Sequence, residues 1–194
     1  MNNNIKKQVA EAIETHKKMI AEFETRGVEV IAAAAQAIIK ALKQNGTVYL
    51  CGNGGSAADA QHIASELVGR FTRERKALAA VALSTNTSIL TSIANDYAYE
   101  KVFARQVEAL VKKGDILWAF STSGTSANVI AAAQLAKKKG ACVLAFTGRA
   151  DSKLEQIADI CFCAGDKSTA RSQEIHQLAY HIICGLVERC FTSG

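Results

Sequence analysis

Five short and almost wholly apolar runs alternate with helical patterns through most of this chain. The runs lie at about residues 47–51, 79–83, 116–120, 142–146 and 160–163. The helical stretches begin near Ser56, Thr87, Tyr99, Ser126, Ser152 and Thr169. Strands that are apolar on both faces and alternate with helices are typical of a parallel sheet covered by helices on both sides. The sequence therefore predicts an α/β fold with a doubly wound, five-stranded parallel sheet.

Two helical patterns precede this alternation, over residues 5–25 and 28–44, with Gly27 between them. We expect an N-terminal helical pair over residues 1–45, followed by an α/β sandwich over residues 46–194. No repeat, low-complexity tract or linker divides the 194 residues, which are enough for one domain with a substantial core. The prediction is a single domain over residues 1–194.

Composition argues against several classes of protein. Hydrophobic residues make up 49% of the chain and charged residues 21%, as in globular proteins. No apolar run approaches the ~18 residues of a membrane span, and the first residues are polar, unlike a signal peptide. The net charge of +5 favours anionic ligands, but no nucleic-acid-binding module accompanies it. We therefore expect a cytoplasmic protein that binds neither a membrane nor a nucleic acid.

The six cysteines include no C-x-x-C pair. Cys161 and Cys163 form a lone C-x-C within an apolar run, which we interpret as two small buried strand residues and not as half of a metal site. The cysteine pattern agrees with a cytoplasmic protein.

Residues 121–128, Ser-Thr-Ser-Gly-Thr-Ser-Ala-Asn, place several hydroxyl groups and a glycine between an apolar run and a helical pattern. A helix N-terminus has unpaired backbone N–H groups and a charge of roughly +0.5, and hydroxyl groups add further donors. The stretch therefore predicts a phosphate-binding loop. The alternative is an ordinary capped helix start, because Ser and Thr are common capping residues.

A second loop of this kind, Cys-Gly-Asn-Gly-Gly-Ser at residues 51–56, follows another apolar run. Gly52, Gly54 and Ala57 formally match the dinucleotide pattern G-x-G-x-x-A, but that site needs an acidic residue at the end of the second strand. That strand ends in Leu-Ser-Thr-Asn at 83–86, and the P-loop pattern is absent from the chain. We therefore expect no nucleotide cofactor, and a ligand bound where both loops meet the carboxyl ends of the strands.

Two predicted helices carry polar side chains that could act on a ligand. His62 and Glu66 are four residues apart and share one helix face, so they could bind a metal, move protons at one site, or form an exposed polar pair. Gln173 and His181 lie two turns apart on the last helix, about 12 Å along its axis, and could approach a small ligand from its two ends.

The last helix carries an apolar stripe that we expect to face the core, with a polar side opposite it. The stripe consists of Ile175, Leu178, Ala179, Ile182, Leu186 and Val187. The polar side consists of Gln173, Gln177, His181, Cys184 and Glu188. Spacing alone does not bring this helix to the one that carries His62 and Glu66.

Segments 51–70, 93–97, 121–129 and 168–176 resemble those of the sugar-isomerase (SIS) domain family, on the branch that isomerises seven-carbon sugar phosphates. The resemblance implies a flavodoxin-like fold and a cytoplasmic homotetramer with active sites at or near the subunit interfaces. It also implies conversion of sedoheptulose 7-phosphate to D-glycero-D-manno-heptose 7-phosphate, the first step toward the heptoses of lipopolysaccharide or other surface glycans.

The resemblance also assigns roles to individual residues. Glu66 and His181 match the acid/base pair. The positions that match the phosphate loop are Ser121, Thr122, Ser123 and Ser126. The positions that match sugar contacts are Asn53, Gly54, Gly55, Ser56, Glu66, Asn95, Asp96 and Gln173. In members that contain zinc, one ion per chain is held at positions matching His62, Glu66, Gln173 and His181.

The chemistry agrees with these residue types, because moving a carbonyl from C2 to C1 needs a base and an acid but no redox cofactor. Two alternatives use the same fold. A noncatalytic family member binds the replication initiator protein, but it lacks the pair that Glu66 and His181 match. A phosphosugar-binding regulatory module accounts for the phosphate loop and leaves that pair unexplained.

Overall fold

The computed structural model describes residues 2–166 and 168–192 and, of residues 2 and 3, only the backbone. Two helices, α1 (Asn2–Arg26) and α2 (Val28–Lys43), form the predicted N-terminal pair. Strands and helices then alternate as β1 (Val48–Cys51), α3 (Gly55–Val68), β2 (Ala80–Ala82), α4 (Thr87–Asp96), a 3₁₀ helix (Tyr99–Lys101), α5 (Ala104–Leu110), β3 (Ile116–Ser121), α6 (Ala127–Lys138), β4 (Cys142–Thr147), α7 (Lys153–Ile157), β5 (Ile160–Cys163) and α8 (Thr169–Arg189).

The five strands form one parallel sheet in the order β2-β1-β3-β4-β5. This is the flavodoxin-like order, in which β1 and β3 are neighbours and the chain winds outward in both directions from them. The predicted fold class is confirmed, and β5 has the predicted bounds.

Side chains on the two faces of the sheet belong to two separate cores. Along β3, Trp118 and Phe120 pack with α1, α2, α3 and α8, whereas Leu117 and Ala119 pack with α5, α6 and α7. All six residues of β3 are buried, because helices cover both faces. This double coverage is why the strands read as continuous apolar runs in the sequence.

The predicted apolar stripe of α8 is wrong in part. Ile175, Ala179 and Val187 are buried as expected, but Leu178 and Ile182 are 36% and 40% exposed.

The polar side of α8 is also partly wrong, since Cys184 and Glu188 are only 1% exposed. The α8 helix packs against both the sheet and its neighbouring helices, so more than one of its sides is covered. Glu188 can be buried because its carboxylate accepts hydrogen bonds from the backbone N–H groups of residues 71–73. A polarity pattern cannot reveal such partners.

None of the helices in the described part of the chain is long and apolar enough to span a membrane.

Candidate active site

The strand order fixes where the two predicted loops meet. The connection after β1 leads to α3 on one face of the sheet, and the connection after β3 leads to α6 on the other face. Because these neighbouring strands diverge in this way, a crevice opens at their carboxyl ends, which is where ligands bind in such sheets. The Gly-rich loop and the hydroxyl-rich loop therefore flank the same crevice.

The hydroxyl-rich loop is held in a compact turn between β3 and α6. The Ser121 Oγ atom lies 2.9 Å from Ser126 Oγ and 3.4 Å from Ser123 Oγ. Gly124 has a φ of +66°, and the turn leaves Ser126 as the N-cap residue of α6 without any capping hydrogen bond from its side chain. Clustered hydroxyl groups next to a helix N-terminus without a side-chain cap are donors of the kind that bind phosphate.

The Gly-rich loop depends on glycine for close approach. A side-chain carbon on Gly52 would lie 2.7 Å from the Ser56 carbonyl oxygen, and one on Gly55 would lie 2.5 Å from Gln173 Nε2. Gly54 has a φ of +56° at the start of α3. Gln173 thus reaches this loop from α8, which sequence spacing could not show.

Asn53 is the side chain of this loop that is most firmly held. Its amide exchanges two hydrogen bonds with the amide of Asn128, at 2.9 and 2.8 Å, and its oxygen also accepts one from the Tyr99 hydroxyl at 3.1 Å. Asn128 lies at the start of α6 and is 3% exposed, so it ties the two loops together. Neither Asn128 nor Tyr99 was assigned a role from the sequence, although Asn128 lies within a segment that carries the family resemblance.

Helices α3 and α8 pack together and bring the predicted acid/base residues to one place. The His62 Nε2 atom lies 3.0 Å from Glu66 Oε1, and the His181 ring centroid lies 5.0 Å from that of His62. Glu66 keeps 19% of its side chain exposed. Burial and the neighbouring His62 lower the pKa of His181, while Glu66 opposes the shift. At neutral pH the His181 imidazole is therefore uncharged and retains one N–H donor.

Two further polar side chains lie behind His62. The Tyr180 hydroxyl lies 3.1 Å from His62 Nδ1 and donates to Asp59 Oδ1 at 3.4 Å. Burial raises the pKa of Asp59 to about 6, while Tyr180 and His62 oppose the rise. Burial also raises the pKa of Tyr180, so its hydroxyl stays protonated. No sequence pattern pointed to Tyr180, because it belongs to a different helix from His62.

A buried carboxylate supports the other side of His181. Glu188 accepts hydrogen bonds from the backbone N–H groups of Phe71, Thr72 and Arg73, at 2.7 to 2.8 Å. Burial would raise the pKa of Glu188, but these bonds outweigh it and hold the pKa below its usual value. The Phe71 ring lies 5.6 Å from that of His181, so Glu188 fixes a segment that packs against the candidate acid.

The structure does not tie Asn95 and Asp96 to the other candidate residues. Both are exposed at the end of α4. Within residues 2–166 and 168–192, their side chains hydrogen-bond only to each other, at 2.9 Å. Their assignment as sugar contacts remains a prediction.

The residues that the resemblance assigns to zinc fit the metal by type and in part by position. Imidazole and carboxylate groups are ordinary zinc ligands, and His62 and Glu66 present adjacent ligand atoms. Among the residues that the structure describes, no group of three or more His, Cys, Asp and Glu is arranged to hold a metal ion. The Gln173 amide lies against Gly55. The formed part of such a site is the pair of His62 and Glu66.

The chain is similar to known proteins along most of its length. The model of the SIS domain family matches residues 12–148, which is more than half of the chain. The chain belongs to the SIS domain family. The match covers both loops and the helix with His62 and Glu66, and it ends before α8.

Similarity to individual relatives continues beyond residue 148 and includes α8. A phosphoheptose isomerase from Roseiflexus sp. is 52% identical over 160 residues, covering 82% of this chain and 81% of the relative. One from a Nitratiruptor species is 45% identical over 191 residues, covering 98% and 100%.

Two solved structures share the fold closely. The phosphoheptose isomerase GmhA from Neisseria gonorrhoeae has a TM-score of 0.90 at 40% identity and covers 95% of this chain and 99% of its own. A phosphoheptose isomerase from Francisella tularensis has a TM-score of 0.91 at 32% identity, with 94% and 97% covered. The SIS chain therefore resembles these enzymes along nearly its whole length.

Proposed function

We propose that this protein is a phosphoheptose isomerase that converts sedoheptulose 7-phosphate to D-glycero-D-manno-heptose 7-phosphate. The observation that carries the proposal is that helices α3 and α8 bring Glu66 and His181 together around His62. The relatives that match nearly the whole chain are named for this activity. The product would supply heptose for lipopolysaccharide or other surface glycans.

Phosphate recognition is assigned to the hydroxyl-rich loop. The hydroxyl groups of Ser121, Thr122, Ser123 and Ser126, together with the N-terminus of α6, supply neutral donors to the phosphate. Asn53 and Ser56 lie on the other loop, and Gln173 reaches that loop from α8. All three contact the sugar chain, with Gly54 and Gly55 giving it close access. Asn95 and Asp96 complete the proposed sugar contacts.

Proton transfer is assigned to Glu66 and His181. In the open-chain ketose, the Glu66 carboxylate takes the proton from C1, and the electrons of that bond form the C1–C2 double bond of an enediol or enediolate. His181 donates a proton to the C2 oxygen as its charge develops, because a neutral imidazole retains an N–H. Glu66 then returns its proton to C2, and the O1 proton passes to His181, which restores both residues and gives the aldose.

Zinc, at up to one ion per chain, is part of the proposal. His62, Glu66, Gln173 and His181 would hold it, and when bound it would polarise the carbonyl. Elemental analysis tests this, since His62→Ala should lose the zinc that purified wild type contains. His16→Ala is the control for the loss of a histidine that is not among the four proposed ligands, because His16 lies on α1 and pairs with Glu174. Equal zinc in wild type and His62→Ala would place any metal elsewhere.

A cytoplasmic homotetramer is also proposed. Its support is an apolar stripe on α1, where Ile5, Val9 and Ile13 are 57%, 54% and 52% exposed, together with exposed Leu178 and Ile182 near His181. Exposed apolar patches of this kind mark protein interfaces. Native mass spectrometry should show four copies, and a monomer at micromolar concentration would contradict the assembly.

The direct test of the activity is incubation with sedoheptulose 7-phosphate and detection of an aldoheptose phosphate. We expect conversion by the wild type and almost none by Glu66→Gln. Glu108→Gln is the matched control, since Glu108 is exposed and pairs with Arg105 away from the crevice. A regulator without catalytic activity would convert nothing, and the similarity to named isomerases does not support that alternative.

A further inference from the structure

Tyr180 is buried next to the candidate site and has no role in the proposed reaction. It is only 1% exposed. Its hydroxyl lies between two polar groups on α3, His62 Nδ1 at 3.1 Å and Asp59 Oδ1 at 3.4 Å. A buried hydroxyl with two such partners is placed to orient at least one of them.

The chemistry of the three groups fixes the direction of the hydrogen bonds. A carboxylate only accepts, so Asp59 takes the single hydrogen of the Tyr180 hydroxyl. The Tyr180 oxygen is then left to accept, and it can accept only from an N–H at His62 Nδ1. The chain of bonds therefore runs from His62 through Tyr180 to Asp59.

This chain of bonds determines which nitrogen of His62 faces Glu66. With the Nδ1–H donating to Tyr180, the other ring nitrogen, Nε2, lies 3.0 Å from Glu66 Oε1, and the Glu66 carboxylate accepts a hydrogen bond there when Nε2 also carries a hydrogen. His62 is 39% exposed, so packing alone leaves its ring room to turn. The orientation of His62, and through it that of the Glu66 carboxylate, depends on the hydroxyl of Tyr180.

We propose that Tyr180, held by Asp59, is a positioning residue that fixes the His62 ring with Nε2 toward Glu66. The effect of Tyr180 on turnover rests on the proposed function, because Tyr180 acts through His62 on Glu66, the base of that reaction. The effect of Tyr180 on the His62 ring does not depend on the proposed function. The two effects can therefore be tested separately.

Tyr180→Phe removes the hydroxyl and keeps the ring. The matched control is Tyr49→Phe, because Tyr49 is also a buried tyrosine, whose hydroxyl bonds to the Leu110 carbonyl oxygen at 3.1 Å in the other core. The chain has four histidines, so their side-chain nitrogen signals can be assigned by NMR. We expect Tyr180→Phe to shift the His62 ring nitrogens and remove the hydrogen-bonded Nδ1–H signal. Tyr49→Phe should leave both unchanged.

Turnover provides the second measurement. Partners that orient a functional histidine are worth 10- to 100-fold in activity, so Tyr180→Phe should lower kcat at least tenfold while KM changes less than about twofold. Asp59→Ala should have a smaller effect, because Tyr180 can still meet His62. The double variant should be no worse than Tyr180→Phe, since Asp59 acts through Tyr180.

Unchanged His62 signals in a folded Tyr180→Phe would overturn the proposal. So would a double variant whose fold-loss in kcat equals the product of the two single fold-losses. If the wild type has no isomerase activity, the proposed function fails, while the NMR measurement still decides whether Tyr180 positions His62. If Tyr180→Phe does not fold, Asp59→Ala provides the NMR test, because the Tyr180 hydroxyl, no longer donating to Asp59, is free to donate to His62 Nδ1 and should change the Nδ1–H signal. A His62 Nδ1–H signal identical to wild type in that variant would contradict the role of Asp59.

Discussion

His176 should make the protein lose stability in weak acid, by an amount that the structure allows us to work out. The side chain is 0% exposed on α8, and its Nε2 donates to the Thr147 carbonyl oxygen at 3.0 Å. The rings of Phe120, Phe146 and Phe162 surround it. Burial lowers the pKa of His176 to about 4, against a weaker opposing effect of its bond to Thr147.

The size and sign of the effect follow from linkage between protonation and folding. In the unfolded chain His176 takes up a proton near pH 6.5, whereas in the folded chain it does so near pH 4. The unfolded state therefore binds more protons between these values, and the folded state loses stability as the pH falls through them. With 1.36 kcal/mol per pKa unit, the shift corresponds to a loss of about 3 kcal/mol.

The assay is urea unfolding of the wild type and of His176→Gln from pH 7 to pH 4. The difference in stability between the two proteins isolates His176. The raised pKa of Asp59 changes the stability with pH in the opposite sense to His176, but it does so in both proteins and cancels in the difference. We expect His176→Gln to be less stable at pH 7, and the gap to shrink or reverse by about 3 kcal/mol toward pH 4. A gap that stays constant from pH 7 to pH 4 would refute the reasoning.

Three further outcomes are expected. Glu66→Gln should lower kcat by ~10² to 10⁴ with substrate binding nearly intact, and turnover above about a tenth of wild type in a kinetic assay would remove Glu66 from the base role. Ser123→Ala should raise KM more than it lowers kcat, and equal activity on unphosphorylated sedoheptulose would contradict the phosphate assignment. Glu188→Gln should cost about 3 kcal/mol or more in urea unfolding, because it removes the charge that pairs with buried Arg75 and sets an amide NH2 group against the Phe71 N–H or the N–H groups of residues 72 and 73; exposed Glu108→Gln should cost almost nothing.

Much of the fold could be predicted because the central strands β1, β3 and β4 are buried on both faces. β3 and β4 read as apolar runs for this reason, and the loops that follow β1 and β3 carry glycine and hydroxyl residues at the predicted edge. Local patterns of this kind need no knowledge of distant contacts.

Contacts between distant helices could not be predicted. Tyr180 meets Asp59 across 121 residues of sequence, and Glu188 meets the backbone of Phe71 across 117. The polar side predicted for α8 was wrong at Glu188 for this reason, because a buried carboxylate is stable only where donors arrive from another segment. The nearness of His181 to Glu66 came from family resemblance and not from spacing.

The central claim is that Glu66 moves the proton of an isomerisation, and isomerisation in heavy water tests it most directly. The wild type should convert sedoheptulose 7-phosphate to an aldoheptose phosphate that carries deuterium at C2, because a carboxylate exchanges its proton with solvent during the enediol stage. Glu66→Gln, shown to be folded, should form less than about a hundredth of this product in the same time. No aldoheptose phosphate from the wild type, or equal deuterated product from Glu66→Gln, would contradict the account.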